Sequence, residues 1–281
     1  MLLNTVLTIA VVTLFGCAHG AAAVYDADQA WTSLYFAVAT FCDLNSFATR
    51  DWVGPTEGFV VTKTIDHPKS KVIGYIGYLP SDNSIYIAFR GSDSANNWIS
   101  DMEVSRVNYT SFPECNCQVS KGWYNAEQSV FPEVLMEVRA LQMKLPDYSV
   151  KVTGHSYGAA MSQLVSMDLI ANDIPCSVYN FGQPRTGDAA YSAFVGRQEK
   201  LSTFRVVHNQ DLVPHWPFNG DTMEYYHVCT EAFENADGVV STCNDSCEDP
   251  ACSDQFKPHQ WRPEQHMTYL GMYIACENVS R

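Results

Sequence analysis

Gly154-His155-Ser156-Tyr157-Gly158 is the segment with the clearest chemical content. A serine flanked on both sides by glycine at two-residue spacing suits a nucleophile held on a sharp turn, and the chemistry open to it is acyl transfer. The pentapeptide alone is weak, arising by chance in roughly one chain in ten of this length. Its surroundings strengthen it. A β-rich run ends at Thr153 and a helical run begins near Ala159, which sets Ser156 on a strand-to-helix turn. Glycine suits both flanks because a Cβ there would collide with the neighbouring strand or helix. The helix that follows points free amides at the place where negative charge would develop. The plain alternative is a structural turn serine.

A serine hydroxyl is inert without a base, and the base needs a carboxylate to orient it. On such turns the chain order is Ser, then Asp or Glu, then His. Asp211 follows the β-run Phe204 to Val207 and is the acid candidate. His215, His227, His259 and His266 come later. His215 is close to Asp211 in sequence, and His227 and His259 border a cysteine-rich stretch. His266 opens a last apolar-patterned segment, Met267 to Ile274, which reads as a loop feeding a final helix. Composition does not choose among the four; position favours His266. A metal reading of His208, Asp211 and His215 lacks the helical register that aligns ligands at i and i+4. One oxyanion donor is expected from the strand-end loop Phe89-Arg90-Gly91-Ser92, the other from the amide of Tyr157.

These groups need a scaffold. Asp28 to Cys42 has helical spacing, with Trp31, Leu34, Tyr35, Val38, Phe41 and Cys42 on one face. Phe59 to Ile65, Lys71 to Leu79 and Ile85 to Phe89 read as strands, the last nearly all apolar as in a central strand. Trp123, Ala126, Val130, Val134, Val138 and Leu141 keep helical spacing, although Pro132 should kink or split that helix. Val150 to Val152, Val178 to Phe181 and Phe204 to Val207 are further strands, and Ser162 to Ala171 is helical. Alternation of this kind predicts an α/β fold with a mostly parallel sheet in a single domain. Glu231 to Pro258 is acidic, rich in cysteine and without periodicity, and reads as a long surface loop held by disulfides.

The compartment follows from the first residues and the cysteines. Met1 to Ala23 holds no charged side chain, and Val6 to Phe15 is apolar but for threonines. Small residues follow, so 1–23 reads as a signal peptide cut between about 20 and 23, leaving 24–281 as the domain. A retained anchor is the alternative, against which the apolar run is short. Cleavage would remove Cys17 and leave nine of ten cysteines, an odd number that predicts a free thiol. Cys229, Cys243, Cys247 and Cys252 with His259 can be drawn as a zinc site, but an oxidising compartment favours disulfides. Asn108, Asn244 and Asn278 are sequons expected at the surface. With 31 acidic against 17 basic side chains the chain carries a formal charge of −14, which excludes nucleic acid and anionic surfaces as electrostatic partners. At 46% hydrophobic residues it can bury a full core.

From about Trp31 to Cys276 the motifs, in order, resemble the class 3 lipase family of fungal-type triacylglycerol lipases and feruloyl esterases, with the α/β-hydrolase fold. Arg90-Gly91-Ser92 is similar to the family's oxyanion segment and Asn97-Trp98-Ile99-Ser100-Asp101 to its lid. Phe181-Gly182-Gln183-Pro184-Arg185-Thr186-Gly187 resembles a stretch after the nucleophile. Asp211-Leu212-Val213-Pro214 resembles the acid segment, and His266-Met267-Thr268-Tyr269-Leu270-Gly271 the segment of the histidine. The resemblance implies a triad of Ser156, Asp211 and His266, with Ser92 and Tyr157 forming the oxyanion hole. It also implies a Cys42–Cys276 disulfide and one from Cys229 to Cys243 or a near neighbour. Cys115 and Cys117 are left to pair with each other, and Cys176 is the candidate free thiol, in a strand.

Three departures touch the acyl pocket rather than the catalytic groups. Tyr157 stands where the family has leucine, Ala159 replaces a glycine, and Val119-Ser120-Lys121-Gly122-Trp123 replaces a Val-His-x-Gly-Phe stretch. The expected activity is hydrolysis of lipid esters through an acyl-enzyme, without metal or cofactor. Trp98, Ile99 and Met102 would form an apolar lid face toward a lipid interface. Phospholipase A1 and feruloyl-type esterase are the nearest alternatives, and an inactive lipid-binding homologue is the remote one. The protein is expected to be extracellular and monomeric.

Overall fold

A computed structural model describes residues 24–92, 103–219, 223–244 and 246–280. Helix α1 spans Ala27–Ala39. Strands β1 Val60–His67, β2 Val72–Leu79 and β3 Ser84–Phe89 follow. A short ribbon, β4 Arg106–Asn108 with β5 Gln118–Ser120, precedes α2 Lys121–Lys144. Then come β6 Ser149–His155, α3 Tyr157–Ala171, β7 Cys176–Phe181, α4 Ala189–Val195 and β8 Leu201–His208. The chain closes with β9 Glu231–Glu234, β10 Val240–Thr242 and a hairpin of β11 Thr268–Tyr269 and β12 Met272–Tyr273.

Among the described residues, eight strands form one sheet in the order β1-β2-β3-β6-β7-β8-β9-β10. From β3 to β9 every neighbouring pair is parallel, and antiparallel pairs lie at both edges. The expected α/β-hydrolase architecture is present. Period-two alternation divides β3 between the two faces: Ile85, Ile87 and Phe89 pack with α2 and α3, whereas Tyr86 and Ala88 pack with α1. α3 is buried from Gly158 to Ile170, as a crossover helix under a parallel sheet must be.

Three expectations need correction. Of a kink or a split at Pro132, the split does not occur: α2 runs through it as one helix, with Trp123, Ala126, Val130, Val134, Val138 and Leu141 all buried. Pro132 sits on the exposed side, where the carbonyl that loses its donor faces water. Glu231 to Pro258 is not simply a loop, because β9 and β10 extend the sheet and β9 is fully buried. Asn235 makes the turn between them, its side chain accepting from Asp237 N and Val239 N at 3.0 Å each. The segment Met267 to Ile274 leads into no α-helix among the described residues: Leu270 (φ 50°) and Gly271 (φ 77°) turn the chain back as the β11–β12 hairpin, and a short 3-10 turn, Cys276–Val279, follows.

The cysteines pair as Cys42–Cys276, Cys115–Cys117, Cys229–Cys247 and Cys243–Cys252, with Cys176 free and buried. Cys229 thus takes a near neighbour of Cys243. The four cysteines of the drawn zinc site are spent on disulfides.

Candidate active site

β6 ends at His155 and α3 begins at Tyr157, so Ser156 alone makes the turn, at φ 59° and ψ −125°. A non-glycine residue held there stores about 1–3 kcal/mol of strain. Ser156 N donates to Phe181 O at 2.9 Å, which ties the turn to β7. Both flanking glycines are sterically required. A Cβ on Gly154 would lie 2.3 Å from the carbonyl carbon of Gly158, and one on Gly158 would lie 2.1 Å from Phe89 O.

Asp211 lies just beyond β8, and His266 sits in the 3-10 turn Pro263–Met267. Both are fully buried, and His266 Nδ1 meets Asp211 Oδ2 at 2.8 Å. The second carboxylate oxygen accepts from Val213 N at 2.9 Å, and Tyr269 Oη also donates to Oδ2. Burial pushes the Asp211 carboxyl up, but the His266 charge and the hydrogen bonds from His266, Tyr269 and Val213 outweigh it and hold the group below its ordinary range. A carboxylate at Nδ1 assigns the ring proton to that nitrogen and leaves the Nε2 lone pair free. Ser156 Oγ and His266 Nε2 are both buried and have no hydrogen-bond partner. Gly182, at φ 59°, makes room for the base: a Cβ there would sit 2.6 Å from both His266 Cε1 and Tyr269 Oη.

The other histidines are occupied elsewhere. His215 stacks on Trp261 and approaches Asp254 at 3.4 Å, His227 Nε2 bonds Pro214 O at 2.6 Å, and His259 is exposed. His208 Nδ1 meets Gln265 O at 3.1 Å, so the drawn metal set of His208, Asp211 and His215 does not converge.

Ser92 follows the end of β3, half-buried, and Gly91 before it passes so close to the elbow that a Cβ would lie 2.8 Å from His155 O. Tyr157 occupies the first turn of α3, where a backbone N–H has no intrahelical acceptor. Its phenol is pushed up to about 12 by burial and remains neutral. Trp98, Ile99 and Met102 lie outside the described residues. The sequons Asn108, Asn244 and Asn278 are all exposed.

Reading the sequence for chemistry misses two contacts of this site, those of Tyr269 and Gly182. Both lie inside segments singled out by resemblance, yet their work depends on contacts across the fold that no local spacing displays.

A strained serine at a strand-to-helix turn, with a buried imidazole–carboxylate pair from later loops, defines an α/β-hydrolase with the group set of a serine hydrolase. The model of the family "Lipase (class 3)" matches residues 86–220. A lipase from Rhizomucor miehei is 32% identical over 199 residues, covering 68% of this chain and 53% of the relative. A secreted mono- and diacylglycerol lipase A from Penicillium cyclopium is 31% identical over 159 residues, covering 56% and 50% respectively. The chain thus spans about half the length of these sequence relatives. A solved triacylglycerol lipase, described as having a serine protease triad as its catalytic centre, superposes with a TM-score of 0.81 at 26% identity, covering 89% of this chain and 96% of that one. The chain belongs to the class 3 lipase family.

Proposed function

We propose that the chain is a secreted serine esterase that hydrolyses the carboxylic esters of lipids, as a triacylglycerol lipase does. The observation that carries this reading is the buried Asp211–His266 pair, whose free Nε2 accompanies the unpartnered Ser156 hydroxyl on its strained turn. His266 takes the Ser156 proton as Oγ attacks the ester carbonyl, and Asp211 stabilises the imidazolium. The amides of Ser92 and Tyr157 hold the oxyanion, His266 returns the proton to the leaving alcohol, and water releases the acid by the same route. The relatives, named as lipases acting on triacylglycerol or on mono- and diacylglycerol, support the substrate class. Four disulfides and an apolar, uncharged stretch over residues 1–23 support a secreted protein whose signal is removed.

A fluorophosphonate probe should label the wild-type protein and not Ser156→Ala, and that variant should lose at least ~10³-fold in kcat while keeping its fold. A folded Ser156→Ala protein with near-native esterase activity overturns the assignment. Triacylglycerols of graded chain length, phosphatidylcholine and methyl ferulate, assayed side by side, should show the first class hydrolysed fastest.

A further inference from the structure

His155, the residue before the nucleophile, takes no part in the steps above, yet it is buried against the base. Its Nε2 meets the main-chain oxygen of His266 at 2.8 Å, and the two imidazole rings lie 4.3 Å apart between centroids. A carbonyl oxygen only accepts, so Nε2 carries the hydrogen and His155 donates. Its Nδ1 is buried, has no hydrogen-bond partner, and faces the Gly91 backbone, where a Cβ would lie 3.3 Å away. A second proton would have to sit on that nitrogen, with nothing to receive it.

We propose that His155 is a permanently neutral positioning residue, which fixes the main chain of His266 through Nε2–H and so couples the nucleophile turn to the base. This rests on reading Ser156 and His266 as nucleophile and base. The coupling is short: one peptide unit separates the Ser156 turn from a ring that clamps the loop 111 residues later. The ring has no slack, since Phe41 packs edge-on at 5.8 Å and Tyr269 at 5.7 Å. Neutrality matters to the reaction. His266 becomes a cation as Ser156 attacks, and a charged ring tilted against it at 4.3 Å would oppose that step in a buried setting of low dielectric. Burial first, and the His266 charge second, push the His155 imidazole down to about 3, while its hydrogen bond to the His266 main-chain oxygen, and after it Asp211, pull the other way. Arg90 stands off behind the Phe41 ring, 5.7 Å from its centroid.

Glutamine and methionine separate the donor from the bulk. His155→Gln keeps an N–H at matching reach, whereas His155→Met keeps the length without a donor. With a soluble short-chain ester, His155→Met should lose about 10- to 100-fold in kcat with KM within about 2-fold, because misplacement of the base acts on chemistry rather than binding. His155→Gln should stay within about 5-fold of wild type. Equal kcat for both variants, at either level, overturns the proposal. A second readout does not need the variants to fold: the acid limb of kcat/KM for the wild-type protein should have a slope of one, because His155 adds no second protonation to it. A slope of two means that His155 also protonates in the working range and sinks the idea. Fluorophosphonate labelling at Ser156 in the same samples keeps the outcomes apart. Loss of labelling from wild type faults the nucleophile assignment, whereas labelled protein with an indifferent His155 faults only this one.

Discussion

Three hydrogen bonds meet the Asp211 carboxylate, each from a different residue. His266 Nδ1 and Tyr269 Oη converge on one oxygen, while Val213 N reaches the other at 2.9 Å. Without them a fully buried carboxyl would be driven toward its neutral form, and a neutral acid could not steady an imidazolium. Tyr269→Phe removes one donor and leaves the ring packing in place. Its kcat should fall about 10-fold with little change in KM, which steady-state assays on a soluble ester would read. The sign of the stability effect follows from the depressed acid. A group held below its unfolded value stabilises the fold above that unfolded value, and the contribution is lost as pH falls through the folded one. The variant should therefore melt about 2–6 °C below wild type at pH 7, and the gap should narrow below about pH 4. Equal melting at pH 7 would mean that the phenol contributes nothing to holding Asp211. Ser156 and Asp211 are legible in the sequence because a local motif and a strand end announce them. Among four histidines, chain position only leans toward His266 and family resemblance selects it, since the choice depends on where the β11–β12 hairpin folds back.

Packing of α2 on α3 buries a pair of acids that the proposed chemistry does not use. Glu127 on α2 and Asp168 on α3 are both nearly inaccessible, and Gln128 Nε2 donates to one oxygen of each at 2.8 Å. Tyr109 Oη donates to Asp168 as well, and Tyr191 stands nearby, while the other Glu127 oxygen has no partner. Burial first, and the Asp168 charge second, hold the Glu127 carboxyl well above its ordinary range. Burial also raises Asp168, partly relieved by its hydrogen bonds from Tyr109, Ser111 and Gln128. A raised acid works opposite to Asp211: the folded state keeps a proton that the unfolded state gives up, so stability falls as pH rises above the unfolded value of about 4.3. Glu127→Gln removes that titration and supplies an amide donor toward Asp168. Its melting temperature should exceed wild type by about 2–6 °C at pH 8 and match it near pH 4. A difference that does not change with pH would show that the carboxyl pair is not proton-linked to folding. The same reasoning explains what the sequence hid at this scale. α2, β3 and β6 are readable because their buried positions are apolar at the right period. β9 is not, because its buried ends are Glu231 and Glu234, satisfied by Arg205 at 3.3 Å, by Ser253 N at 3.0 Å and by Leu270 N at 2.8 Å. Charges with distant partners mimic a surface loop, and a leucine at φ 50° gives no local sign of the turn it makes.

At the scale of the molecule, disulfides and charge act on the chain as a whole. Cys42–Cys276 joins the segment after α1 to the C-terminal region across 234 residues, whereas the other three bridges span 2, 18 and 9. In the chain-entropy view the long closure restrains the unfolded chain most, by about 5 kcal/mol, and the two-residue closure least. Arg185 extends the restraint without covalent bonds, pairing with Glu248 at 2.7 Å beside Cys247. These pairings leave Cys176 as the free thiol among the described residues, buried on β7 with its Sγ 3.6 Å from Ser166 O. Burial pushes that thiol up to about 12, so it holds almost no thiolate at pH 8. The formal charge of −14 would also repel an anionic thiol reagent, so a neutral one such as iodoacetamide is the fair probe. Unreduced native protein should take up none at pH 8. After denaturation without reductant it should take up one equivalent if residues 1–23 have been removed, and two if Cys17 remains. Intact mass spectrometry reads the count directly. Rapid native labelling at Cys176 would contradict the burial of β7, and two equivalents after denaturation would retire the signal-peptide reading of residues 1–23. The −14 charge is carried entirely outside that segment, which has no charged side chain, so removal of residues 1–23 would change the thiol count but leave the side-chain charge unaltered.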